Sequence, residues 1–172
     1  MPPETTSSAR EAQVRPMDVR YINPFVASVS DVFGRTLSAW VKRDNPRIQR
    51  QAVPDETLAA LIGLSGPIRG VVTLVVPMRT ALAIVRRMLG CEVSATSPDL
   101  PDGLAELVNI VAGGAKARLA ESEVEPVNLG LPSVVKGDRF SMCYPSNTNW
   151  LEIPFESQLG LFSLRVTIET TR

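Results

Sequence analysis

Histidine is absent from the 172-residue chain. That gap removes Ser-His-Asp and Cys-His catalysis, histidine general bases and nearly all zinc-hydrolase sites. An enzyme built from this sequence works with carboxylates, amides, hydroxyls, lysines or a partner's chemistry. Charge excess is missing too: 18 basic residues balance 18 acidic ones, and aromatic residues make up 5% of the chain. A nucleic-acid surface wants a basic excess and stacking platforms, so this class is a poor fit. No apolar run reaches the ~18 residues of a membrane span. The opening "MPPETTSSAREAQVRP" lacks the apolar core of a secretory signal, which makes the cytoplasm the expected location. The two cysteines, Cys91 and Cys143, have no CxxC partner. They are expected to be small core-facing or neutral residues with no metal or redox role, and a cytoplasmic setting disfavours a bridge between them.

What is present is enough apolar material, 44% of residues, for one domain with a true core. Residues 1–17 are rich in Pro, Ser, Thr and charge and read as a disordered tail. Residues 18–172 read as a single domain. A first helix is expected from Asn23 as cap and Pro24 as first helical position, with Val26, Val29, Val32 or Phe33, Leu37 and Trp40 at helical spacing. "DNPRIQRQAVPDE" reads as a turn and a short irregular strand. Two β-rich runs, Leu58–Leu64 and Ile68–Val76, flank Ser65-Gly66-Pro67 and predict an antiparallel hairpin. "MRTALAIVRRMLG" predicts a second helix that stops at Gly90, and "CEVSATSPDLPD" a polar loop. Short β-like runs follow in "VEPVNLGLPSVVKG", "RFSMCYP", "WLEIPFES" and "LFSLRVTIET". The layout is α+β, an antiparallel β-sheet covered by helices.

Between the loop and those strands lies "DGLAELVNIVAGGAKARL", Asp102 to Leu119, apolar almost all the way round. Asp102, Glu106, Asn109, Gly113 and Lys116 step by four, three, four and three, which puts them on one helix face. Leu104, Val108, Val111, Ala115 and Leu119 form a separate line for the core, extended by Leu107 and Ile110. Ordinary readings exist for several of the polar residues. Asp102 suits a helix start, Glu106 and Lys116 suit solvent, and a glycine pair most often serves helix packing. Asn109 is harder to explain that way, because it interrupts "LVNIVA", where an apolar residue or alanine would be more favourable. Gly113-Gly114 costs on the order of 1 kcal/mol per glycine, which suggests a close approach to the helix backbone. An asparagine amide has no useful pKa, so it can position water but not deprotonate it. Water positioning is enough where the bond is already activated, as in phosphoryl hydrolysis through a loose transition state.

These residues resemble the pattern D/S-x3-E-x2-N-x22-P of the CheC/CheX/FliY phosphatases of bacterial chemotaxis. Asp102, Glu106 and Asn109 fit it, and Pro132 follows after 22 residues. "NIVAGGAKARLAE" and "VRYINPF" are similar to segments of CheX-type members, and the resemblance extends over residues 18–172. It implies a CheC/CheX-like fold and hydrolysis of the aspartyl phosphate on a CheY-like receiver domain. Asn109 would orient the attacking water, and Glu106 would pair with the receiver's active-site lysine. Asp102 and Pro132 would shape the site, while Gly113 and Gly114 would permit close approach. The receiver would supply Mg2+ and the leaving aspartate, so no cofactor is expected in this chain. The first helix has no Glu-x2-Asn, which implies one site per chain, and the resemblance also implies a homodimer joined through β-sheets. The competing reading is a receiver-docking or adaptor module without turnover. A purely structural dimerisation domain would leave the polar stripe unexplained.

Overall fold

The computed structural model describes residues 19–49, 56–122, 126–138, 140, 142 and 150–170. The expected tail over residues 1–17 lies outside them, as does Cys143. An α-helix, α1 (Val19–Asp31), runs into a π-helical turn over Val32–Thr36. Two short strands follow, β1 (Val41–Arg43) and β2 (Arg47–Gln49). The hairpin comes next, β3 (Thr57–Ser65) and β4 (Ile68–Pro77), then helices α2 (Met78–Leu89) and α3 (Asp99–Glu121). Strands β5 (Asn128–Leu129), β6 (Ser133–Gly137), β7 (Trp150–Ser157) and β8 (Gly160–Thr170) complete the chain.

All the strands join one antiparallel sheet in the order β1-β7-β8-β4-β3-β5, with β2 also on β7 and β6 also on β3. Alternate residues of its central strands face the helices. Leu58, Ala60, Ile62 and Leu64 of β3, Val72, Leu74 and Val76 of β4, and Leu164, Val166 and Ile168 of β8 join the helices in one core. Phe33 stacks on Phe162 at 4.8 Å between ring centroids, and Phe162 on Phe155 at 5.0 Å, which ties the π turn to the sheet. The opposite face carries a buried ion cluster. Glu152 is 3% exposed and Arg165 5%. The Glu152 carboxylate accepts from Arg165 Nε at 2.8 Å and from Arg47 Nη2 at 2.6 Å.

The α+β layout, the hairpin and the stop of α2 follow the sequence reading. Gly90 adopts φ 69°, the left-handed cap that glycine takes without steric cost. The first helix departs from it. Asn23 is not its cap and Pro24 lies inside α1, because Ile22 and Phe25 are buried and anchor an upstream turn. That burial offsets the backbone hydrogen bond that proline cannot make. The helical register also fails at Trp40, which is 55% exposed beyond the π turn, where the chain has already extended towards β1. Cys91 is exposed rather than core-facing, because the chain leaves α2 at Gly90 and enters the polar loop. The strand expected over 139–145 falls largely outside the described residues, and Phe140 and Met142 are in no strand. Among the described residues no helix is long and apolar enough to cross a membrane.

Candidate active site

Helix α3 is the element on which the predicted residues sit. It starts at Asp99, three residues before Asp102, where Ser97 Oγ accepts from the Asp99 amide at 3.2 Å. Asp102 therefore occupies the first turn, where its charge complements the helix dipole without a side-chain cap. Leu100, Leu104, Leu107, Val108, Val111, Ala112, Ala115 and Leu119 are buried and fix the helix rotation against the sheet. That rotation leaves Asp102, Glu106, Asn109, Gly113 and Lys116 exposed along one line.

Two neighbouring helices set the height of this line. α2 closes against the start of α3 at Gly103, where an added Cβ would lie 2.7 Å from Val85 Cγ1. α1 crosses further along, at Gly114, where a Cβ would strike the hydroxyl of the buried Ser28. Arg118 donates to Asp31 Oδ2 and locks the same crossing. The glycine pair thus divides. Gly114 serves the contact between α1 and α3, whereas a Cβ at Gly113 would meet nothing within 4 Å.

The polar heads on the stripe hold each other only loosely. Asn109 Nδ2 donates to Glu106 Oε2 at 3.5 Å, the outer limit of a hydrogen bond. Neither Glu106 nor Asp102 makes an ion pair among the described residues. An exposed carboxylate and an exposed amide one turn apart can offer one acceptor pair and one donor–acceptor head to the same incoming group.

Pro132 is half-buried immediately before β6. β6 pairs with β3 and packs on α3, and Lys136 Nζ donates to Ala95 O at 2.6 Å ahead of the α3 start. Gly130 N donates to Gly63 O at 2.9 Å and pins the chain just upstream of Pro132.

No cluster of three or more metal-ligating side chains occurs among the described residues. A cavity of about 590 Å³ opens elsewhere, lined by Lys42, Arg47, Glu152, Glu156 and Arg165 among others, and none of the stripe residues borders it. The stripe is an exposed line along one helix face, outside that cavity. The pairings of Arg47 and Arg165 with Glu152, and of Arg118 with Asp31, were not anticipated from the sequence. The Arg47 and Arg118 partners lie 105 and 87 residues away, so no local pattern announces them.

The family model described as chemotaxis phosphatase CheX matches residues 58–156, which include Asp102, Glu106, Asn109 and Pro132. The chain is 30% identical to the chemotaxis protein CheX of Vibrio vulnificus, with 87% of this chain and 99% of that one covered at a TM-score of 0.77. A CheC-like superfamily protein of Shewanella sp. PV-4 is 27% identical, with 89% and 99% covered and a TM-score of 0.80. The fold also matches CheX in the CheX–CheY–BeF3–Mg2+ complex of Borrelia burgdorferi, at 18% identity, 88% and 99% coverage and a TM-score of 0.70. Among curated proteins none matches the chain significantly.

Proposed function

Because the chain belongs to the CheX family of chemotaxis phosphatases, we propose that it hydrolyses the aspartyl phosphate of a CheY-type response-regulator receiver, with the exposed ridge of α3 as its catalytic element. One observation carries the assignment of residues: Asn109 and Glu106 stand one turn apart, within reach of each other, on a face this fold leaves open. The ridge enters the receiver's site, and the Asn109 amide holds a water in line with the phosphorus–oxygen bond to the aspartate. Glu106 pairs with the receiver's active-site lysine and so fixes the depth and angle of entry. Positioning of this kind suffices, because an acyl phosphate is already activated and its loose transition state asks mainly for an in-line nucleophile and charge neutralisation. Water attacks phosphorus, the aspartate carboxylate leaves, and inorganic phosphate is released.

The receiver contributes the leaving aspartate and the Mg2+ that balances the phosphoryl charge. A CheX fold neighbour solved together with CheY and Mg2+ accords with such a partner. Asp102 and Pro132 shape the flanks of the ridge, Gly113 keeps its crest low, and Gly114 acts by seating α3 on α1. Residues 18–172 form the working domain, residues 1–17 a tail, and the protein acts in the cytoplasm as a homodimer joined through β-sheets. Sedimentation at micromolar concentration tests the dimer, and a monomer would overturn that part.

The experiment is phosphate release from receiver domains of the source organism, each phosphorylated with a small phosphodonor, with wild type and Asn109→Ala side by side. Acceleration by wild type alone supports the phosphatase reading. Binding by both without acceleration by either would turn the ridge into a docking surface.

A further inference from the structure

We propose that α3 beyond Asn109 forms a second contact zone for the receiver. In this zone the bare backbone at Gly113 admits the partner surface, and Lys116 pairs with a carboxylate on the receiver surface next to its phosphorylation site. The inference rests on the phosphatase reading and names what sets receiver affinity within it.

The first observation concerns glycine. α3 contains Gly103, Gly113 and Gly114. A side chain at Gly103 would meet Val85, and one at Gly114 would meet Ser28, so both glycines have an explanation inside the chain. Gly113 has none, since its missing Cβ would find open space. Glycine in a helix interior is less favourable than alanine, and nothing intramolecular requires it here. The requirement lies outside the chain, in a surface that comes down onto the helix backbone one turn past Asn109.

The second observation concerns charge. α3 carries two cations. Arg118 is bonded to Asp31. Lys116 is exposed on the same line as Asn109 and makes no ion pair among the described residues. Long side chains on a helix lean towards its N-terminus, so the lysine stem crosses the turn that Gly113 leaves bare. Its ammonium then stands over that bare turn, beyond Asn109, where a carboxylate on the incoming receiver surface would pair with it. A lysine there adds attraction without bidentate geometry, and salt weakens it.

The test is saturation kinetics on the receiver that wild type dephosphorylates fastest, comparing wild type, Asn109→Ala, Lys116→Ala, Lys116→Glu and Gly113→Ala. Lys116→Glu should raise the half-saturating receiver concentration about tenfold with kcat unchanged, and flatten its dependence on ionic strength. Lys116→Ala should show the same effect more weakly. Gly113→Ala should raise the thermal midpoint by a few degrees and still raise the half-saturating concentration several-fold, a combination no folding defect produces. Either position saturating like wild type, or losing kcat alone, removes that residue from the zone. If wild type is active and Asn109→Ala inert while both positions behave as wild type, only this inference falls. If wild type accelerates no receiver, the phosphatase reading fails and takes the inference with it.

Discussion

Gly114 of α3 and Ser28 of α1 meet so closely that a Cβ on the glycine would press on the serine hydroxyl and lie 3.3 Å from the serine Cβ. One residue earlier, the same helix faces open space. Alanine should therefore act oppositely at the two sites. Gly113→Ala should stabilise the protein by about 1 kcal/mol through helix preference alone. Gly114→Ala gains the same backbone preference but must displace a buried neighbour, so it should fall ~1–3 kcal/mol below Gly113→Ala in denaturant unfolding. Equal midpoints would mean that α1 and α3 do not cross at this point.

Asn109→Ala should reduce receiver-stimulated phosphate release on the order of 100-fold or more, the scale expected when a nucleophile loses its positioning. The amide is exposed and touches only Glu106 at 3.5 Å, so thermal stability should hold or rise slightly. Calorimetry beside the release assay separates the two effects. A variant as active as wild type would remove Asn109 from the chemistry.

Glu106→Ala should weaken receiver binding as well as rate, since its pairing fixes the entry of the ridge. Truncating one partner of a desolvated charge pair costs about 2–5 kcal/mol, which corresponds to a fall in affinity of roughly 30-fold or more. Titration against the phosphorylated receiver reads the affinity directly. A lost rate with full affinity would instead place Glu106 at the reacting atoms.

Which parts of this molecule were readable from its sequence follows from the range over which each signal acts. Gly90 and the Gly66-Pro67 turn are local punctuation, and both ended their elements as expected. The ridge was readable because the helical period survives whatever surrounds it, so Asp102, Glu106 and Asn109 had to share a face wherever α3 docked. Tertiary packing hid the rest. Pro24 looked like a helix start until the burial of Ile22 set the boundary upstream, and Trp40 kept a helical spacing after the π turn had already broken the register. Gly113 and Gly114 are chemically identical in sequence, and the position of Ser28 alone divides their roles.

The ion cluster on the far face of the sheet offers a test of how independent the ridge is. Glu152 and Arg165 are almost wholly buried and bonded at 2.8 Å, with Arg47 closing the other oxygen at 2.6 Å. Removing one partner leaves an almost wholly buried charge without its mate, so Glu152→Ala should destabilise the fold by ~3–5 kcal/mol. Replacing the pair together, for example Glu152→Leu with Arg165→Met, should recover much of that loss, because two apolar groups leave nothing unpaired. None of these residues lies on α3, and no ridge residue borders the cavity they line. Phosphate release per folded molecule should therefore stay at the wild-type value in both variants, measured at a temperature where each is native by circular dichroism. If the double variant folds but loses turnover, the sheet's far face is coupled to the ridge, and α3 is not the self-sufficient element its exposed line makes it.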